Sequence, residues 1–503
     1  MRYVIGSGPS GVSCARALID AGRPVTILDA GQDRDSQPPT LQSEKLDALP
    51  RKLIHGSDFP YRPAPGAIEI AWSETAAIEG SYAVGGLSNV WGAAVLPHHP
   101  SDLKDWPISF ADLAPHYAAV TRFMPVAAAT DDLEGIFPLE GRTVAPLFRS
   151  RQAQAFLSTL AKNKTHLNQK GVFFGESRLA VAAASSADQG GCVYCGQCLH
   201  GCPHGLIYNS RDTLAELARR DDVSHIHGVT VQSLEERGGA AFIRGVGPDG
   251  APCIFEAERV FLAAGPLNST AILLRSLARY DRPTRLADSQ YFLLPLLRFR
   301  ATPEVEREAL HTMAQAFVEV LDPKVSEPLV HLQIYSYNDH LSQALDQKLG
   351  PLKRVFPRSA LLGRLLVVQG YLHSALSAKI ALTLKRGAGS DTLHVDGEPN
   401  AQTLPTINRL IAKLFDLSRN MGAVPLKPLL IVAPPGRGFH SGGSFPLSRT
   451  PGEMETDLLG RPSGFERIHV VDASVLPSVP ATTITFTIMA NAHRIGTEAA
   501  RLA

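Results

Sequence analysis

The opening of the chain restricts its fold more than any other stretch. Residues 3 to 31 read as a buried strand (YVIG), a tight turn (SGPSG), a helix (VSCARALIDAG) and a second strand (PVTILDAG), which is a βαβ unit. Inside it Gly6, Gly8 and Gly11 form G-x-G-x-x-G. The first two permit a tight turn and close approach of a pyrophosphate, and the third lets the helix lie against the strand. Ser10 sits in the turn, where the helix N-terminus faces the phosphates. Asp29, 18 residues beyond Gly11 at the end of the second strand, is placed to accept both hydroxyls of an adenosine ribose. A strand before, a helix after and an acid at that spacing make this a dinucleotide-binding unit. The unit by itself does not separate FAD from NAD.

Two later segments have the same character. RVFLAAGPLNSTAILLRS, from Arg259, is a buried strand meeting a small-residue turn at Ala263 and Ala264 and then a helix, as at a strand-to-helix joint of a parallel sheet. Near the C-terminus a strand ends at Asp472, followed by Ala473, a loop with Pro477 and Pro480, and a helix predicted to begin near Thr482. Backbone N–H groups at Thr482, Thr483 and Thr485 would be left free in its first turn, where they could stabilise negative charge developing on a reduced flavin ring. With 49 basic and 48 acidic residues the formal charge is +1, so electrostatic binding to nucleic acid is not expected. No stretch reaches the ~18 apolar residues that a spanning helix needs. The most apolar region, residues 361 to 384, is broken by Arg364, Gln369, His373 and Lys379. The first residues enter a strand at once, which leaves no room for an export signal and points to a cytoplasmic protein.

These pieces, with GGLSNVWGA at 85 to 93 and GFHSGGSFPL around His440, resemble the glucose-methanol-choline family of FAD oxidoreductases, in the family's order and over nearly the whole chain. The resemblance implies that FAD is the dinucleotide and that Gly85, Ser88, Asn89, Val231, Ala264, Asp472, Ala473 and Thr483 join Gly6, Gly8, Ser10, Gly11 and Asp29 around it. It implies that His440 removes the proton of a substrate hydroxyl, work for which an imidazole is suited by its pKa and its two nitrogens. The family's second catalytic His or Asn aligns with Thr483, whose hydroxyl can form a hydrogen bond but is no base, so Thr483 is expected to orient substrate or flavin. Relatives similar to pyranose oxidase link the flavin covalently through a histidine where this chain has Val90, so non-covalent FAD is expected. His493, almost three turns into the last helix, is expected to pack or face solvent.

Four of six cysteines, Cys192, Cys195, Cys198 and Cys202, fall within eleven residues as C-x2-C-x2-C-x3-C-P, the spacing of the bacterial ferredoxin run. One [4Fe-4S] cluster is possible if Cys202 folds back, and a three-cysteine [3Fe-4S] site if it does not. The loop also resembles that of bacterial FAD-dependent glucose dehydrogenases, whose spacing Cys192, Cys198 and Cys202 reproduce; the extra Cys195 favours four irons. Zinc, plain thiols and a disulfide are the other readings. A cluster beside a flavin implies a dehydrogenase that passes electrons to an external acceptor, a protein or a quinone. No haem attachment motif is present, because Gly196 and Pro203 follow Cys195 and Cys202. Without metal, the alternative is an oxidase using oxygen. Cys14 and Cys253 read as small apolar residues.

Between Gln290 and Val395 the strands YFLLPLLRFR, MAQAFVEVL, LVHLQIYSYN, LLVVQGYLHS and KIALTLKR are spaced like one antiparallel sheet. Alternation puts His331, Gln333, Tyr335 and Tyr337 on one face, which would suit a sugar or polyol over a flavin, and Leu332, Ile334, Ser336 and Asn338 on the other. A helix over 404 to 420 returns the chain to the nucleotide domain. The expected fold is therefore α/β: a Rossmann-like FAD-binding domain (1–288 and 425–503) interleaved with an antiparallel-sheet substrate-binding domain (289–424). Segments 40 to 75 and 105 to 175 are expected to wrap the active site or the substrate domain.

Overall fold

The apolar run of Arg2–Ile5 is flanked on both sides by other runs of the same kind, and in a computed structural model of the chain these assemble into one sheet. The structure describes residues 1–31, 57–183, 190–343, 358–387 and 389–502; the expected wrapping segment falls partly outside them, over 40–56. Five strands lie parallel in the order Val223–His227, Val25–Asp29, Arg2–Ile5, Arg259–Leu262 and Ile468–Val470. In chain order that is 3-2-1-4-5, a Rossmann-like arrangement. Side chains alternate between its two faces. Val4, Ile27 and Phe261 pack against the helices Pro9–Asp20 and Thr485–Ala499, whereas Ile5, Leu28, Val260 and Leu262 pack toward an antiparallel three-stranded sheet through Val231, Leu234, Ala241 and Ile243. Both faces are covered, as a parallel sheet requires, and each such side chain stabilises the fold by about 1.5–3 kcal/mol.

A seven-stranded antiparallel sheet forms the second layer, with Ala423–Pro425, Tyr291–Arg298, Leu365–Tyr371, Val330–Tyr335, Ala316–Val320 and Val172–Glu176 in order and Ile431–Val432 beside the second of them. One face, with Leu294, Val318, Leu332, Ile334 and Val368, packs on the helices Thr403–Asp416 and Arg151–Lys162. The opposite face is half polar. Its edge strand Val172–Glu176 comes from the stretch expected to wrap the active site or the substrate domain.

The strand Lys379–Lys385 departs from expectation. It leaves this sheet and pairs instead with Thr284–Asp288 and Thr392–Glu398 in a separate five-stranded sheet that also takes in Ser441–Gly442 and Glu69–Trp72. The helix expected over 404 to 420 is broken into Thr403–Asp416 and Ser418–Met421, and the last helix starts at Thr485 instead of near Thr482. Among the described residues no helix is long and apolar enough to cross a membrane.

Candidate functional site

A cavity of about 1850 Å³ runs from the C-terminal ends of the parallel strands to the polar face of the seven-stranded sheet. At its first end Gly6, Gly8, Ser10 and Asp29 line the wall. Gly6 has φ +101, a conformation that side chains disfavour, and a Cβ on Gly11 would collide with the Gly6 carbonyl. Gly8 differs, since a Cβ there meets no protein atom within 4 Å. Asp29 is buried; its Oδ2 accepts from Ser7 N–H (2.8 Å) and its Oδ1 from Gly31 N–H (2.7 Å). Burial raises its pKa against those hydrogen bonds.

The middle of the cavity is closed by the loop at 85 to 91. Gly85 N–H donates to Ser7 Oγ (2.9 Å), which ties this loop to the glycine turn. Ser88 lines the cavity, with its hydroxyl donating to Gly85 O (2.6 Å). Asn89 is turned away, its amide donating to the carbonyls of Val84 (2.9 Å) and Gly86 (2.8 Å). Gly11, Gly85 and Asn89 are not on the cavity wall, whereas Val231, Ala264, Asp472, Ala473 and Thr483 are. Asp472 accepts from Gly265 N–H (2.9 Å) and Ser474 N–H (2.9 Å), so it braces the turn after Leu262 against the C-terminal segment. Thr483 Oγ1 accepts from Leu96 N–H (3.2 Å), which leaves its own proton to donate. Beside it Ile484, Thr485 and Ile488 bring the last helix's N-terminus to the cavity.

His440 stands at the far end, its ring stacked on Tyr371 with centroids 4.9 Å apart. Nδ1 is enclosed and has no partner among the described residues, and Nε2 is open to the cavity. Burial pushes the imidazole down to about 3, so it rests neutral. Its position is set by a residue that the sequence did not single out. Asp288, fully enclosed, accepts from Ser441 Oγ (2.7 Å) and from Gly436 N–H (3.1 Å), clamping both ends of the turn that presents His440; burial pushes its carboxyl up to about 7. Phe439, immediately before His440, has φ +59, a strained value for a non-glycine residue. Asp288 and Tyr371 carry no local sequence signal, because each matters only through strands distant in the chain. Gln333 and Tyr335 also line the cavity, but Tyr337 does not. His373 caps the turn Ser374–Leu376 by accepting from Ala375 N–H (3.1 Å), and His493 pairs with His116 (2.9 Å); His394 lies off the cavity wall.

The cysteine loop gives no support to its expected role. Cys198 and Cys202 line a separate cavity of about 150 Å³ behind Ser88 and Trp91, Cys195 is exposed, and Cys202 Sγ accepts from Leu206 N–H (3.4 Å). Burial raises the thiols of Cys192 and Cys198. Among the described residues no three His, Cys, Asp or Glu side chains come together as metal ligands, so the cluster expected on Cys192, Cys195, Cys198 and Cys202 finds no support there. Cys14 is buried, as expected, and Cys253 is half-buried.

Fold and site together define an α/β protein in which a Rossmann-like domain is interleaved with an antiparallel-sheet domain, one cavity joining them. Comparison with known proteins agrees with that class. The chain is 22% identical to a 2-methyl-1,2-propanediol dehydrogenase of Mycolicibacterium austroafricanum, over 98% of this chain and 94% of that protein. Its fold is similar to that of pyridoxine 4-oxidase from Mesorbium loti (TM-score 0.63, 16% identity, 99% and 98% of the two chains). It is equally similar to that of formate oxidase (TM-score 0.63, 13% identity, 98% and 97%). No family model matches the chain.

Proposed function

We propose that this chain is an FAD-dependent oxidoreductase of the glucose-methanol-choline family that oxidises a hydroxyl of an alcohol, polyol or sugar to a carbonyl. The observation that carries this reading is that a single cavity holds the glycine turn and Asp29 at one end and a neutral, accessible imidazole at the other. The residues fit FAD. Gly8 faces open space where a pyrophosphate belongs, Asp29 offers a buried carboxylate for a ribose, and Val90 leaves the cofactor non-covalent. FAD bound there supplies a hydride acceptor.

The protein does the remaining work. His440 accepts the hydroxyl proton at Nε2 as the hydride leaves the carbinol carbon. Tyr371 holds the ring by stacking, Asp288 fixes the turn, and Thr483 directs a donor at substrate or cofactor. The N-terminus of Thr485–Ala499 stabilises negative charge nearby. An iron-sulfur exit finds no support among the described residues, and no step runs through it. A terminal electron acceptor, whether external protein, quinone or oxygen, would be needed in addition.

Denaturing the purified protein and identifying the released cofactor by chromatography, then incubating the native protein with 1,2-propanediol, glycerol, glucose and benzyl alcohol, tests this. FAD, together with a carbonyl product and either reduced dye or peroxide, is expected. Release of NAD, or no cofactor after reconstitution with FAD, contradicts it.

A further inference from the structure

The polar face of the seven-stranded sheet carries a hydrogen-bonded chain. Strand register sets Tyr291, Tyr371, His331 and Glu319 in one row, and Gln333 and Tyr335 follow His331 on the same face of its strand. Glu319 and His331 have no exposed side-chain surface, and Gln333 is buried. The chain can run in only one direction. The Tyr335 hydroxyl donates to Gln333 Oε1 (3.2 Å), and Gln333 Nε2, which can only donate, gives its hydrogen to His331 Nε2 (3.2 Å). The imidazole proton is left on Nδ1, which donates to Glu319 Oε1 (2.7 Å). Tyr335 has thus committed its proton inward and shows only lone pairs to the cavity it lines together with His440. Stability does not explain this arrangement, because burying a carboxylate and an imidazole costs desolvation that apolar residues would avoid.

We propose that Glu319, His331 and Gln333 are positioning residues that fix Tyr335 as the acceptor for a second hydroxyl, so that the cavity selects vicinal diols, polyols or sugars over simple alcohols. This rests on the alcohol-oxidising reading above and narrows its substrate class.

The test compares anaerobic bleaching of the bound flavin by 1,2-propanediol and by 1-propanol in the holoenzyme, in Tyr335→Phe and in Glu319→Leu, which removes the acceptor of the His331 Nδ1 proton. The diol is expected to be favoured by about tenfold in the natural protein, a ratio both variants lose while the 1-propanol rate stays within about twofold. If Glu319→Leu does not fold, Gln333→Leu carries the same expectation. An undiminished diol preference in Tyr335→Phe, or equal losses on both alcohols in all variants, overturns the proposal. Ligand-observed NMR of the dithionite-reduced enzyme reads binding of the same alcohols without turnover. Weaker diol binding in Tyr335→Phe supports the acceptor role even where no alcohol bleaches the flavin, a result that sinks only the oxidation reading; unchanged binding beside normal turnover sinks only this proposal.

Discussion

His440 and His98 show how one side chain serves two ends. His440 keeps a nitrogen open to the cavity, where the proposed chemistry would use it as a neutral base, whereas His98 is fully enclosed, edge-on to Trp106 with ring centroids 5.3 Å apart and no partner for either nitrogen among the described residues. Burial, with His373 and His440 nearby, pushes His98 down to about 3. The unfolded chain takes up that proton below about 6.5 and the folded one only near 3, so His98 costs stability progressively as pH falls through that window. His98→Phe should therefore gain about 2 kcal/mol over the natural protein between pH 7 and pH 5, read from denaturant melts at both values. A pH-independent difference would show that His98 takes its proton in the folded state. His440 was legible in the sequence because its neighbours GFHSGGS resemble a family motif, while Asp288, Tyr371 and Glu319 were not, since their proposed roles arise from pairing across strands.

At the scale of elements, the glycine turn separates two functions within one motif. A Cβ at position 11 strikes the Gly6 carbonyl, so Gly11→Ala should lower the melting temperature as well as flavin content. Gly8→Ala meets only open cavity, so it should fold normally and lose flavin alone; parallel melting curves and flavin absorbance on both variants check this, and an equally destabilised Gly8→Ala would mean that the turn itself needs glycine there. Four of the five parallel strands could be read from the sequence because they are buried on both faces, whereas the edge strand Val223–His227, partly exposed and polar in sequence, could not. The placement of Lys379–Lys385 could not, because alternation reveals a face but not which partner strand covers an edge. The late start of the last helix has a similar origin: Thr482 and Thr483 are buried beside the cavity, and tertiary packing overrides a local helix signal.

Over the whole molecule, two sheets far apart in sequence meet at one cavity, and the cysteine loop lies behind its wall without joining it. Spacing alone predicted a cluster there, but ligand geometry depends on how the loop folds against Leu310 and Thr312, which spacing does not encode. As folded, the loop thiols are free. A thiol reagent should modify exposed Cys195 quickly and buried Cys14 only on unfolding, and acid-labile sulfide at one cluster per flavin would refute this account of the loop. The central claim is that His440 is the base of an FAD-dependent alcohol oxidation. Stopped-flow mixing of anaerobic holoenzyme with 1,2-propanediol should bleach the flavin, and His440→Ala should bind the same amount of FAD yet bleach it at least about 100-fold more slowly. Bleaching at the natural rate in His440→Ala would contradict the claim.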